Sequence, residues 1–175
     1  MGGVNKLKKS VLISVGIGVA GFVTGTFVKK EGKGKANESS NDKFKKFFSV
    51  LDLWMKLRDN GGTVVNYFQN RGYKRIAVYG IAHLASHLTA ELKGSEIEVV
   101  YGIDRRADFL YAAFPIYRLE DVWEPVDVIV VTPVYDYKNI KKELEQKGNY
   151  NVISLEEVIR ESDLSSFKKD TIMKL

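Results

Sequence analysis

The chain of 175 residues contains no cysteine, so disulfides, zinc–thiolate sites and thiol nucleophiles are excluded, and the composition fits a reducing compartment. No Ser-His-Asp set, no paired carboxylates and no phosphate-loop motif occur in it, which removes the common hydrolytic and P-loop chemistries. Histidine is scarce. His83 and His87 stand four apart as on a zinc helix, but the glutamate required beside the first is absent and no third ligand is evident. A basic footprint is also missing from the C-terminal part: the formal charge is +5, and much of the lysine excess sits before residue 47. The remainder is close to balanced, which argues against a nucleic-acid partner and leaves a membrane surface as the expected one.

Charge is absent between Lys9 and Lys29. As a helix, Val11 to Val28 would span ~27 Å, near the thickness of a bilayer core, so residues 11–28 are expected to form a single transmembrane helix behind a short basic N-terminus, 1–10. A cleaved signal peptide competes with this reading but lacks an A-x-A site, and a peripheral helix is the third option. Ser14, Gly18, Gly21 and Gly25 would share one helical face, a stripe of small residues that permits self-association and is also common in membrane helices generally. Lysines flank both ends of the run, and the globular part is expected on the cytoplasmic side of the cell membrane.

Residues 29–42 are rich in Gly, Lys, Asn and Ser, with nothing apolar to bury, and predict a flexible linker. From there Phe44, Phe47, Phe48, Leu51, Trp54 and Met55 recur at helical spacing as one buried stripe, ended by Asn60-Gly61-Gly62. Val50, Leu53 and Leu57 widen the apolar surface beyond one packing face. The helix Phe44 to Leu57 is therefore either wedged between two elements of its own domain or part of a dimer surface. Thr63 is placed to cap a second short helix, Val64 to Arg71, with Gly72 as its left-handed stop; residues 43–71 thus form a helical hairpin.

A folded α/β domain is expected over 43–161. Strands are predicted at Arg75 to Gly80, Ile97 to Ile103, Pro115 to Tyr117, Val126 to Thr132 and Asn151 to Ile153. Helices are predicted at Ala82 to Lys93, after Asp136 and after Ser154, where Glu157 would complete a capping box. Leu119 to Trp123 reads as a helical turn. This alternation predicts a Rossmann-like, doubly wound parallel sheet of about five strands in the order 3-2-1-4-5. Residues 162–175 read as an unassigned tail.

Ligands of such sheets bind at the carboxyl ends of the strands where the order reverses, which here gathers Gly80, Ile81, Ala82, His83, Asp104, Arg105, Thr132, Pro133 and Tyr135. The turn reads Gly80-x-Ala82-x-x-Ala85. The dinucleotide fingerprint asks for glycine at the second of these positions, and the Ala82 Cβ stands where bare backbone would admit a pyrophosphate. His83 offers an alternative donor to an anion. Asp104 lies 24 residues after Gly80, near the spacing of a ribose-binding carboxylate, or else caps the following loop; Arg105 and Arg106 are placed for a phosphate. Tyr137 and Lys141 match the Y-x-x-x-K of short-chain dehydrogenases by chance, since the chain is too short for that family's substrate region.

Ile76 to Gly80, Tyr101-Gly102-Ile103-Asp104, Asp127 to Pro133 and Val152 to Ile159 together resemble small Rossmann-like modules of bacterial surface-polysaccharide systems. Such modules form the nucleotide-binding ends of sugar acyltransferases and the C-terminal domain of sugar C-methyltransferases. The resemblance covers about residues 73–160. It implies a nucleotide or nucleotide-sugar site bordered by Gly80 and Asp104, in a membrane-anchored module accessory to envelope polysaccharide metabolism. The departure at Ala82 leaves open a second expectation: a scaffold that binds no nucleotide and acts through protein contacts.

Overall fold

The segments 76–79 and 128–131 carry only apolar side chains, so each gains most when both of its faces are covered, and they become neighbours at the middle of the sheet. The computed structural model describes residues 32–162. In it β1 (Arg75–Tyr79), β2 (Glu98–Ile103), β3 (Ile116–Tyr117), β4 (Val128–Val131) and β5 (Val152–Ser154) form one sheet in the order β3-β2-β1-β4-β5. All four ladders are parallel. The α/β class, strand number and strand order expected from the alternation are those observed. β2 carries one irregularity: Ile76 pairs with Val99 and Ala77 with Tyr101, so Val100 is an extra residue that turns the strand locally.

Two cores lie on opposite sides of this sheet. On one side Ile76, Val78, Val128, Val130 and Ile153 pack against α1 (Gly32–Asp59), α2 (Val65–Asn70), α3 (His83–Leu92) and the helical residues 155–162, α5. On the other side Ala77, Tyr79, Tyr101, Ile103, Ile129 and Val131 are covered by α4 (Tyr137–Lys147) and by Trp123. Residues 119–123 form a turn rather than the expected helical turn. The Asp121 carboxylate accepts the Arg118 N–H at 2.8 Å, and the Trp123 indole donates to the Arg118 carbonyl at 3.1 Å. These bonds satisfy the backbone locally and lay the indole into the core, where it packs against Tyr101 and Tyr150.

The N-terminal region departs most from expectation. The apolar run 11–28 with Ser14, Gly18, Gly21 and Gly25, the basic terminus and residues 163–175 lie outside the described residues. Among the described residues no helix is long and apolar enough to cross a membrane. The stretch 29–42 was expected as a linker, but from Gly32 it is the beginning of α1, a helix of 28 residues. Lys33, Lys35, Ala36 and Glu38 are good helix formers, and although Gly, Asn, Ser and Asp are weaker, each costs at most about 1 kcal/mol when a helix already held by packing is extended.

The face of α1 that packs inward also differs from the stripe read in the sequence. Val50, Trp54 and Leu57 are buried, with Phe47, Leu51 and Leu53 partly so, whereas Phe44, Phe48 and Met55 are exposed at 66%, 60% and 55%. The two stripes overlap at helical spacing and are equally apolar. The one that wins is continuous with Leu84 and Leu88 of α3 and with Val158 of α5 in the same core.

A buried carboxylate locks this helical layer. Glu91 of α3 has a side chain only 7% exposed. It accepts the Trp54 indole N–H at 2.8 Å, the Thr63 hydroxyl at 2.7 Å and the Val64 N–H at 2.9 Å, and meets Arg58 at 3.2 Å. Burial by itself would raise this acid's pKa. The three hydrogen bonds and the Arg58 charge outweigh burial and hold it below the ordinary carboxylate value. Thr63 thus serves Glu91 as donor while accepting the Val65 N–H at 3.3 Å, and the residue flanking α2 is Val64, with no side-chain cap.

Candidate functional site

The reversal of strand order falls between β1 and β4, and both strand ends are tied together before any ligand is considered. Gly80 continues the β1–β2 ladder by donating its N–H to the Ile103 carbonyl at 2.8 Å. It then turns with φ +85°, a left-handed conformation natural to glycine. A Cβ at this position would lie 2.6 Å from the Pro133 ring carbons and 3.1 Å from the Thr132 hydroxyl. Glycine is thus required at position 80 both by the tight turn and by the close approach of Pro133.

Thr132 is buried, and its hydroxyl donates to the Gly80 carbonyl at 2.6 Å, with the Tyr79 carbonyl 3.2 Å away. It therefore fastens the turn of β1 to the end of β4. Asp104, at the end of β2, accepts the Ile81 N–H on one carboxylate oxygen at 2.9 Å and the Arg106 N–H on the other, also at 2.9 Å. The Ile81 amide belongs to the turn whose N–H groups would cradle a phosphate. A carboxylate of the chain itself occupies it. The loop-capping bond to Arg106 is therefore present, and the same carboxylate faces the glycine turn.

Ala82 precedes α3 in extended conformation and provides no side-chain cap, and its N–H bonds back to the Gly80 carbonyl at 3.1 Å. His83, the first residue of α3, is exposed. Of the nine residues gathered here from the sequence, Gly80, Asp104, Arg105, Pro133 and Tyr135 border a crevice of about 330 Å³, while Ile81, Ala82, His83 and Thr132 do not line it. Tyr79, Arg106, Asp136 and Ile140 complete its walls. This is the small end of the range for ligand pockets, roughly 300–1,000 Å³.

The electrostatics inside the crevice are largely self-compensated. Arg105 reaches Glu143 of α4 at 3.2 Å with its side chain 70% exposed. The Tyr79 hydroxyl is pushed above its ordinary pKa by burial and then by Glu143, against the opposing pull of Arg105. Tyr79, Asp136 and Ile140 were not singled out from the sequence. Tyr79 is an inward residue of an apolar strand, and only its place at the strand terminus brings its hydroxyl to the crevice. Among the described residues no three histidine or carboxylate groups converge to hold a metal ion.

A second and larger groove, about 530 Å³, lies between α3 and residues 111–114, floored by Ile81, Ile97 and Val99. Its rim carries Tyr111, 97% exposed. Residues 105–114 carry no periodic apolar pattern, so nothing in the sequence marks this groove.

No protein-family model matches the chain, and the comparison with curated proteins finds no match.

Proposed function

We propose that this chain is a membrane-anchored, non-catalytic Rossmann-like module whose ligand turn has been taken over by its own side chains, and that it acts through protein contacts. The observation that carries the reading is the Asp104 carboxylate on the Ile81 N–H at 2.9 Å. Negative charge at that amide repels a phosphate and consumes the donor it needs. The Cβ of Ala82 acts in the same direction. The membrane anchor rests on the uncharged run 11–28, and the setting, envelope polysaccharide metabolism, rests on the resemblance of residues 73–160 alone.

A second reading, binding of a nucleotide or nucleotide sugar, is favoured by one observation: Arg105 and Arg106 both border the crevice at the strand-order reversal. The two readings make opposite forecasts for one substitution. On the scaffold reading the full chain gives no thermal shift with a panel of nucleotides and nucleotide sugars, and Asp104→Ala combined with Ala82→Gly creates one of several degrees with at least one nucleotide. On the ligand reading the unmodified chain shifts with its nucleotide and Asp104→Ala abolishes the effect. A shift in the unmodified chain overturns the scaffold reading.

A further inference from the structure

We infer that the outer face of α1 is a self-association surface on which a second copy of this chain lays its own α1 antiparallel. In this pairing each Phe44 enters the pocket at the far end of its partner's helix. The inference deepens the scaffold reading by naming its partner. It fails or stands independently of the nucleotide panel.

Three features of α1 lead to it. The first is a seam. Phe44, Phe48, Leu51 and Met55 are spaced 4, 3 and 4 apart, the a/d spacing of a two-helix contact, and the first two and the last are exposed at 66%, 60% and 55%. Those three side chains present roughly 350 Å² of apolar surface, the scale that marks interaction sites. The opposite side of the helix is anchored by Val50, Trp54 and Leu57 and by the Glu91 bonds, so the seam is presented rigidly.

The second feature is a knob and a hole on the same helix. A pocket of about 320 Å³ lies between α1 and α3, lined by Leu51, Trp54, Met55, Arg58, His87, Ala90 and Glu91. A two-fold axis crossing α1 between Phe48 and Leu51 brings the partner's Phe44 opposite Met55, at the mouth of this pocket. The contact is then made twice, as an isologous interface requires. The pocket has room for a phenyl ring, since a cavity of about 150 Å³ takes benzene, and the Arg58 guanidinium at its rim offers the ring a cation–π partner.

The third feature is charge. On the flank of the seam away from the pocket stand Lys45 and Asp52, seven apart. The same two-fold axis pairs flank with like flank and sets Lys45 about 3 Å along the axis from the partner's Asp52. Within one copy each has a neighbouring partner already, Asp42 at 3.9 Å and Lys56 at 2.7 Å, so the crossing pairs extend alternating charge rather than bury it. A parallel pairing sets the same flank against Phe47 and Trp54 and gains no such match. Two seams with their flanks bury on the order of 1,000 Å², near the lower bound of a specific interface.

The chain has no cysteine of its own, which makes cross-linking readable. In the full-length chain in detergent micelles, Phe44→Cys with Met55→Cys, which the pairing sets face to face, is expected to oxidise to a covalent dimer even though loss of the ring weakens the association, and each single variant to remain uncoupled. The two positions lie about 16.5 Å apart along one helix, beyond the ~7 Å reach of a disulfide, so the double variant cannot close within a chain. Sedimentation is expected to show Phe44→Ala weakening the dimer about 100-fold. Lys45→Asp should weaken it about 10-fold, with Lys45→Asp/Asp52→Lys recovering most of that loss. Phe44 is exposed, so an unchanged far-ultraviolet circular-dichroism spectrum certifies the fold of its variant. A chain that stays monomeric at about 100 µM, its apolar face serving a lipid surface instead, overturns the inference. So does a dimer that the cysteine pair fails to trap.

Discussion

Replacing Glu91 by glutamine keeps the shape of the side chain and removes its charge, and the bonds around it set what this should cost. The two carboxylate oxygens divide their donors: one takes Thr63 at 2.7 Å and the Val64 N–H at 2.9 Å, the other takes the Trp54 indole at 2.8 Å. An amide can serve one side only. Oriented for Thr63 and Val64, it turns its NH₂ toward the indole N–H and leaves that donor unpaired in a site only 7% exposed. An unsatisfied buried donor costs about 1–3 kcal/mol, and weakening two charge-assisted bonds to neutral ones adds about 1 kcal/mol. The expected loss is about 3 kcal/mol, a drop in Tm of about 10 °C for a domain of this size. Thermal unfolding followed by circular dichroism at neutral pH measures it. The pH dependence gives a second check. Because the folded-state pKa lies below the ordinary glutamate value of 4.5, the stabilising contribution is complete above pH 4.5 and is lost as the pH falls through the folded-state pKa. The gap between native and Glu91→Gln proteins should therefore be constant above about pH 5 and narrow on further acidification, since protonated Glu91 resembles glutamine. A Tm drop under about 3 °C, or a gap that widens as the pH falls, refutes the assignment of Glu91 as the anchor of α1 and α2 on α3.

Gly80→Ala should cost about 3 kcal/mol in urea unfolding, from the left-handed backbone and from the 2.6 Å approach to Pro133. Adding Pro133→Ala should return the steric part and leave about 1 kcal/mol; a single variant within about 1 kcal/mol of the native chain would contradict the contact. Tyr67 and Tyr101 should be the last tyrosines to ionise, each pushed up to about 12 chiefly by burial. Their pKa is raised in the folded state, so this stability is complete below pH 10 and is lost between 10 and 12. Phenolate absorbance that completes its rise near pH 10 with the fold intact would count against this.

The order of the strands was legible in the sequence because β1, β4 and β5 are apolar segments each followed by a helix, and right-handed crossovers leave few ways to arrange such units. The crevice was legible only in part: Gly80, Asp104 and Arg105 border it, whereas Ala82, His83 and Thr132 do not, and Tyr79, Asp136 and Ile140 carried no mark in the sequence. Local pattern could not disclose what Asp104 touches. The Ile81 amide is 23 residues away and comes within reach only once β1 and β2 are in register. Glu91 escaped notice for the same reason, with partners 27 to 37 residues distant. For α1 the difficulty was degeneracy. Two apolar stripes share one helix, and the choice between Val50–Trp54–Leu57 and Phe44–Phe48–Met55 is made by the shape of the core beneath.

The brevity of the outer strands has a consequence for how anything can attach to this protein. β3 contributes two residues and β5 three, so neither side of the sheet offers an exposed row of amides and carbonyls long enough to template another strand. Strand addition, the most general way for one chain to recruit another's backbone, is closed at both margins. Recruitment must go through helix surfaces and side-chain pockets. Recognition there depends on the identity of a few residues rather than on the common backbone, so the folded part can sit among crowded neighbours without joining them edge to edge.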